Sequence, residues 1–338
     1  MLWFFILLLT GCGKKEVSIE EKETMKIGIS VYNQYDTFIS ELLESLEQEA
    51  LEMEKKHNIT ILLDIQDAAG NQLTQNEQME RFLERGCDIV CINLVDRTDT
   101  TNIIERGKKA DVPIIFFNRE LVEEDLKRWD RLYYVGADAF ESGILQGKIL
   151  LETLKTDFDK IDRNQDGILQ YVMLEGEAGH QDSIVRSMYS VQTITEAGYK
   201  IEKLGDEIAN WNRDQAKTKM TQWLEEHMGN IEVVFSNNDD MALGAVDALK
   251  EAGYFGTAEK VPPVILGIDG TKEGIRAVEN KEVLGTVVND NKGQAKGILQ
   301  LAYAITYNKT PEEFQLIEGK YIRCPYKIYM KTENENGK

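Results

Sequence analysis

Short apolar runs alternate with segments of helical period along almost all of this 338-residue chain, and no other feature restricts its fold so strongly. The runs are KIGISVY (26–32), ITILLDIQDA (59–68), DIVCINL (88–94), VPIIFFN (112–118), YYVGAD (133–138) and YVML (171–174). They continue with YKIEKLGDE (199–207), IEVVFSN (231–237), VPPVILGID (261–269), GTVVND (285–290) and KIYM (327–330). Between them the spacing predicts helices, the first over 36–56, where Phe38, Leu42, Leu46 and Ala50 share a face. Strands this uniformly apolar are buried on both faces, as in parallel sheets covered by helices. That places the chain in the α/β class. The strands exceed one comfortable sheet, so two doubly wound lobes are expected. Only 5 prolines occur and no low-complexity linker interrupts the pattern, which favours lobes that the chain crosses between more than once.

The first 24 residues stand apart. Leu2 to Leu9 form an apolar run too short to span a bilayer but long enough for the core of a signal peptide. Leu9-Thr10-Gly11-Cys12 resembles the lipobox of bacterial lipoproteins, in which the cysteine is lipidated, although no Lys or Arg precedes the run. A cleavable secretory signal without lipidation is the alternative. Residues 13–24 are charged and aperiodic, as a tether would be. The other cysteines, Cys87, Cys91 and Cys324, are too few and too poorly spaced for a disulfide framework and read as small buried residues. A formal charge of −20 argues against nucleic acid as a partner.

Two groups of polar residues carry chemistry. In DRNQDGILQ (162–170), Asp162, Asn164 and Asp166 alternate before Gly167, which places loop positions one, three and five around a common centre. Position seven is Ile168, offering its carbonyl, and position nine is Gln170; together they are most of a calcium loop. Position twelve is Met173, where a bidentate glutamate normally closes the shell. Either the loop is an Asx-rich turn or a carboxylate from elsewhere completes it. The second group gathers at strand ends, where open α/β sheets bind ligands: Asp36 and Phe38, Asn93, His180 with Asp182 and Arg186, Asn238, Asp269, and Asn289, with Trp211 in a further loop. Asn, Asp, His and Arg present paired donors and acceptors that match vicinal hydroxyls, and Phe and Trp present flat apolar plates for a pyranose. Taken singly, each such Asn or Asp is as readily a helix cap or turn residue, and the tryptophan a packing residue. Phosphate-binding glycine motifs are absent from the sequence.

The strings YDTF, INLVD, VPIIFFN, YYVGAD, ESGILQG, the loop followed by GEAGHQD, NND-MA-GAV and GTVVND occur in an order that resembles the bacterial galactose/glucose-binding family. Members are periplasmic sugar receptors of ABC importers, and the likeness spans nearly all the chain beyond the tether. It implies a type I periplasmic binding protein fold with three crossing segments near residues 116–118, 288–289 and 323–325. The first lobe is then 25–117 plus 289–323 and the second 118–288 plus 324–338, after a lipoprotein signal and tether at 1–24. It implies that Asp36, Asn93, His180, Asp182, Arg186, Asn238, Asp269 and Asn289 hydrogen-bond a glucose or galactose between stacking Phe38 and Trp211. It further implies one structural calcium held by Asp162, Asn164, Asp166, Ile168, Gln170 and a distant glutamate matching Glu232. The implied partner is an ABC permease, with a chemoreceptor or sensor kinase as the alternative output, and the protein sits outside the cytoplasm on a lipid at Cys12.

Rival functions fit less well. Paired His180 and Asp182 resemble acid/base machinery, but the sequence holds no GxSxG and no HExxH, and Arg186 one helical turn on would pair with Asp182. A sugar-responsive repressor of similar fold would need a DNA-binding headpiece where this chain has an apolar signal.

Overall fold

The computed structural model describes residues 23–255, 260–311 and 314–331, so the apolar run and Cys12 lie outside the described residues. The strands are β1 (Thr24–Val31), β2 (Thr60–Asp67), β3 (Ile89–Ile92), β4 (Ile114–Phe117), β5 (Leu132–Gly136), β6 (Leu169–Glu175), β7 (Ile201–Ile208), β8 (Val233–Ser236), β9 (Val264–Asp269), β10 (Gly285–Val288), β11 (Tyr321–Arg323) and β12 (Lys327–Met330). The helices are α1 (Thr37–His57), α2 (Gln72–Glu84), α3 (Thr101–Ala110), α4 (Glu123–Leu126), α5 (Ala139–Ile161), α6 (Gln181–Glu196), α7 (Arg213–His227), α8 (Asp239–Glu251), α9 (Lys272–Glu279) and α10 (Asn291–Thr306).

Two six-stranded sheets result. The first runs β11-β5-β4-β3-β1-β2 and is parallel throughout. The second runs β12-β10-β9-β8-β6-β7 and is parallel except for β12, antiparallel to β10. The inner strands of each are buried on both faces because their successive residues serve opposite cores, whereas the edge strands β2 and β7 are partly exposed. Ile115 and Phe117 enter one cluster with α1 and α10, whereas Ile114 and Phe116 enter another with α2 and α3. Val172 and Leu174 likewise face α7 and α8, and Tyr171 and Met173 face α5.

The chain passes between the sheets after β5, after β10 and between β11 and β12. The second and third passages fall at 289–290 and 324–326. The first differs from expectation: it lies at 137–138, not at 116–118, so residues 118–136 belong with the first lobe. β5 aligns Leu132 with Ile114 and Val135 with Phe117, and Tyr134 is buried among first-lobe residues. Apolar alternation reveals that a strand exists there, but sheet membership is fixed by partners distant in sequence. β11, at three residues, and α4, at four, are too short to show a period. Among the described residues no helix is long and apolar enough to cross a membrane. Cys87, Cys91 and Cys324 are free and buried.

Candidate ligand-binding site

The carboxyl ends of both sheets face one another across a shared cavity. It is lined by Asp36, Phe38, His180, Asp182, Arg186, Trp211, Asn238 and Asp269, eight of the ten residues singled out in the sequence. Helix starts explain the convergence. Asp36, His180 and Asn238 each leave a strand and cap the following helix, α1, α6 and α8, accepting from the backbone N–H of Ile39, Asp182 and Met241. Cap and site are therefore the same residues here.

On the second lobe, Arg186 organises the charge. It is buried; Nη1 donates to the Asn237 carbonyl at 2.7 Å and lies 3.5 Å from Asp269, while Nη2 donates to the Tyr326 hydroxyl at 3.3 Å and lies 3.5 Å from Asp182. Burial opposes its charge, but Tyr326, Asp269 and Asp182 outweigh burial and raise its pKa. Asp269 also moves up: burial dominates the pull of Arg186, and Asp239, Asp36 and Asp240 add negative potential. Its backbone is strained at φ +114°, a region that side-chain-bearing residues rarely adopt. The Arg186 Nε has no hydrogen-bond partner among the described residues.

His180 is held neutral. Burial lowers its pKa to about 4, with Arg119 and Arg186 adding to the shift and Asp182 opposing it. Its Nδ1 accepts from Asp182 N at 3.1 Å, which leaves the ring proton on Nε2 as a donor. Trp211 meets His180 edge-on at 5.3 Å and lies 5.7 Å from the Arg186 guanidinium. Its indole rests on Gly176, where a Cβ would come within 2.1 Å, so glycine is required at that point. The Trp211 carbonyl accepts from Asn238 Nδ2 at 3.2 Å.

The first lobe supplies Asp36, whose Oδ2 accepts from the Tyr32 hydroxyl at 2.5 Å, and Phe38. Tyr32, Ile39, Asn118 and Arg119 also line the cavity and were not singled out from sequence. Arg119 follows VPIIFFN directly, so the strand-end rule pointed to its position. Asn93 and Asn289 do not line the cavity. Asn93, fully buried, accepts from Tyr32 N and donates to the Phe117 carbonyl and to Asn118 Oδ1, tying three strand ends together. Asn289 Oδ1 accepts from Gln294 at 2.7 Å beside the second passage between lobes. The lobes are drawn together by Thr37 donating to Asp240 at 2.6 Å, Lys272 bridging to Glu41 and Glu44, and Arg119 pairing with Glu177 at 2.9 Å.

Loop 162–170 lies before β6, at the opposite end of that strand from the cavity. Asp162 accepts from the N–H groups of Asp166 and Gly167, Asn164 from Asp166, and Asp166 from Ile168, which curls the loop around its oxygens. Glu232, buried, accepts from Arg163 N at 2.6 Å and Gln170 N at 3.1 Å, thereby joining both ends of the loop. Among the described residues no three His, Cys, Asp or Glu side chains are grouped so as to hold a metal by themselves. A calcium shell also draws on amide and main-chain oxygens, which Asn164, Gln170 and Ile168 possess. Asp162 and Glu232 are buried carboxylates that form no ion pair among the described residues, because Arg163 spends its guanidinium on the carbonyls of Gly229, Ile231 and Val261. The donor set thus fits a hard cation.

Residues 27–310 match the model of a family described as periplasmic binding protein domain. The chain belongs to the periplasmic binding protein family. It is 33% identical over 304 residues to the D-galactose/methyl-galactoside binding periplasmic protein of Haemophilus influenzae, with 89% of this chain and 88% of that protein covered. It is 29% identical over 271 residues to a putative rhizopine-binding protein of Rhizobium meliloti, covering 80% of each. Among solved structures, an ABC transporter solute binding protein from Bacillus halodurans with bound myo-inositol aligns at a TM-score of 0.74 and 25% identity, covering 92% of this chain and 96% of that one. The two parallel-sheet lobes are those of the type I periplasmic binding protein fold.

Proposed function

We propose that this periplasmic binding protein is the extracytoplasmic receptor of an ABC sugar importer and captures D-galactose or D-glucose between its lobes without chemical change. The observation that carries the reading is the cavity's charge balance. Both of its guanidinium groups are already committed to carboxylates, while Arg186, whose buried Nε has no hydrogen-bond partner among the described residues, and a neutral His180 line it together with Phe38 and Trp211. Such a site favours a neutral polyol with a flat apolar face over a phosphorylated sugar. The identity to a galactose-binding protein and the likeness to an ABC solute receptor support the same class. A ligand held by both lobes favours the closed form by its differential affinity, which is how a permease would sense occupancy.

Two further parts belong to this reading. Asp162, Asn164, Asp166, Ile168, Gln170 and Glu232 would hold one calcium, which when bound supplies charge compensation for the buried carboxylates and fixes the loop. Lipid on Cys12 would anchor the chain to the outer face of the membrane. A thermal-shift and calorimetric panel of aldohexoses, pentoses and inositols tests the ligand. Tightest binding by galactose or glucose is expected; millimolar doses of both that leave the melting temperature unmoved would overturn the proposal.

A further inference from the structure

Arg119 stands between two spaces. One is the ligand cavity; the other is lined by residues 95–98 after β3 and 177–180 before α6, so it too lies between the lobes. Arg119 and His180 are the residues that line both. Arg119 is buried, with its guanidinium 3.4 Å above the Tyr32 ring, Nη1 donating to the Val95 carbonyl at 3.2 Å and Nη2 donating to Glu177 at 2.9 Å. Three partners in different directions fix a planar group as a partition, and the Glu177 partner belongs to the opposite lobe. Opening the cleft therefore breaks the wall, and closing it restores the wall.

We propose that Arg119, latched by Glu177, is the size-specificity residue of the site: it confines the ligand to a single ring and seals off a vestibule that would otherwise seat the second ring of a disaccharide. This rests on the sugar-binding reading above. A substituent directed at Arg119 must displace a buried, paired guanidinium, whereas an unsubstituted ring closes beneath it. Size selection then resides in one ion pair, and not in the stacking aromatics.

The test is isothermal titration of wild type, Arg119→Ala and Glu177→Ala with galactose, glucose, lactose, melibiose and maltose, with circular dichroism to verify folding. Wild type should prefer its best monosaccharide over every disaccharide by about 100-fold or more. Arg119→Ala should bring that ratio below about tenfold for at least one disaccharide, and Glu177→Ala, which frees the latch but keeps the guanidinium, should fall between. If Arg119→Ala fails to fold or to bind any sugar, the Glu177→Ala ratio decides. Folded variants that bind a monosaccharide with the wild-type ratio, or a wild type that takes a disaccharide equally well, overturn the gate alone. A wild type that binds no hexose sinks the sugar reading, and the gate with it.

Discussion

The two lobes share one strand order but hold their halves of the site differently. In the second, Arg186 is anchored by Asn237, Asp182 and Asp269 within that lobe and by Tyr326 at the end of the third passage, and Trp211 is seated on Gly176. In the first, Asp36 is tied locally to Tyr32, but the Arg119 guanidinium draws its ion pair from across the cleft. The same topology thus yields one half-site assembled before closure and another completed by it. Preorganised polar groups bind at lower cost than groups that must be ordered on binding, so a ligand should meet the second lobe first.

The largest effect is expected where the second lobe's charge is removed. Arg186→Met leaves Asp182 and Asp269 without their buried cation, a change that typically costs about 3–5 kcal/mol. Calorimetry should show monosaccharide affinity falling by at least about 1,000-fold, with a lower melting temperature in the absence of ligand. Arg119→Met should weaken binding by only about tenfold, since Glu177, half-buried, can turn to solvent. Equal losses at the two positions would break the contrast between lobes.

Acid should also act through the second lobe. The His180 pKa lies near 4 in the folded protein against an ordinary 6.5, so the unfolded chain binds the proton first as pH falls. Its contribution is present above about pH 6.5 and is lost by about pH 4, amounting to up to ~3 kcal/mol. Protonation also turns the Nδ1 acceptor that caps α6 into a donor. Asp239, pushed up to about 7 by burial, works in the opposite sense across the same window. Urea melts of wild type and His180→Asn from pH 7.5 to 4.5 therefore isolate the histidine, because asparagine retains a cap without titrating. Parallel pH profiles for the two proteins would remove His180 from the account.

The aromatic plates sharpen the contrast further. Trp211→Ala should weaken sugar binding by roughly 1–3 kcal/mol while costing little stability, since the indole is part of a loop and only partly buried. Phe38 is 6% exposed and belongs to the first-lobe core, so Phe38→Ala should destabilise the apo protein by about 3–5 kcal/mol as well as weakening binding. Titration and denaturant melts on both variants separate the two roles.

What the sequence made legible follows the same division. Strands and long helices could be read because burial on both faces writes itself as uninterrupted apolar runs. The strand-end rule found Asp36, His180 and Asn238 because a residue that follows a strand at this edge both caps a helix and faces the cleft, and it found Asp269 as the last residue of β9. It could not tell which way an amide turns: Asn93 and Asn289 have the right chemistry, yet their side chains are spent on neighbouring strand ends and on α10. Tyr32 and Arg119 also follow strands, but the contacts that give Arg119 its role, with Tyr32 and Glu177, join partners far apart in sequence. The lobe assignment of β5 failed for the same reason, since pairing is non-local.

The smallest effect on binding is expected from the feature that belongs to one lobe alone. Loop 162–170 opens β6 and His180 lies beyond its other end, and seven residues of strand separate them by roughly 20 Å. A cation bound there would compensate Asp162 and Glu232 without touching the cavity. Calcium at about 100 times its dissociation constant should add about 2.7 kcal/mol of stability. Chelation should accordingly lower the melting temperature by several degrees, while sugar affinity of the still-folded protein changes by less than about threefold. Asp162→Ala should reproduce the stability loss and abolish the response to calcium. Sugar binding that disappears on chelation without unfolding would mean that the loop and the cavity are coupled through β6, and that the second lobe's half-site is not assembled independently of the ion.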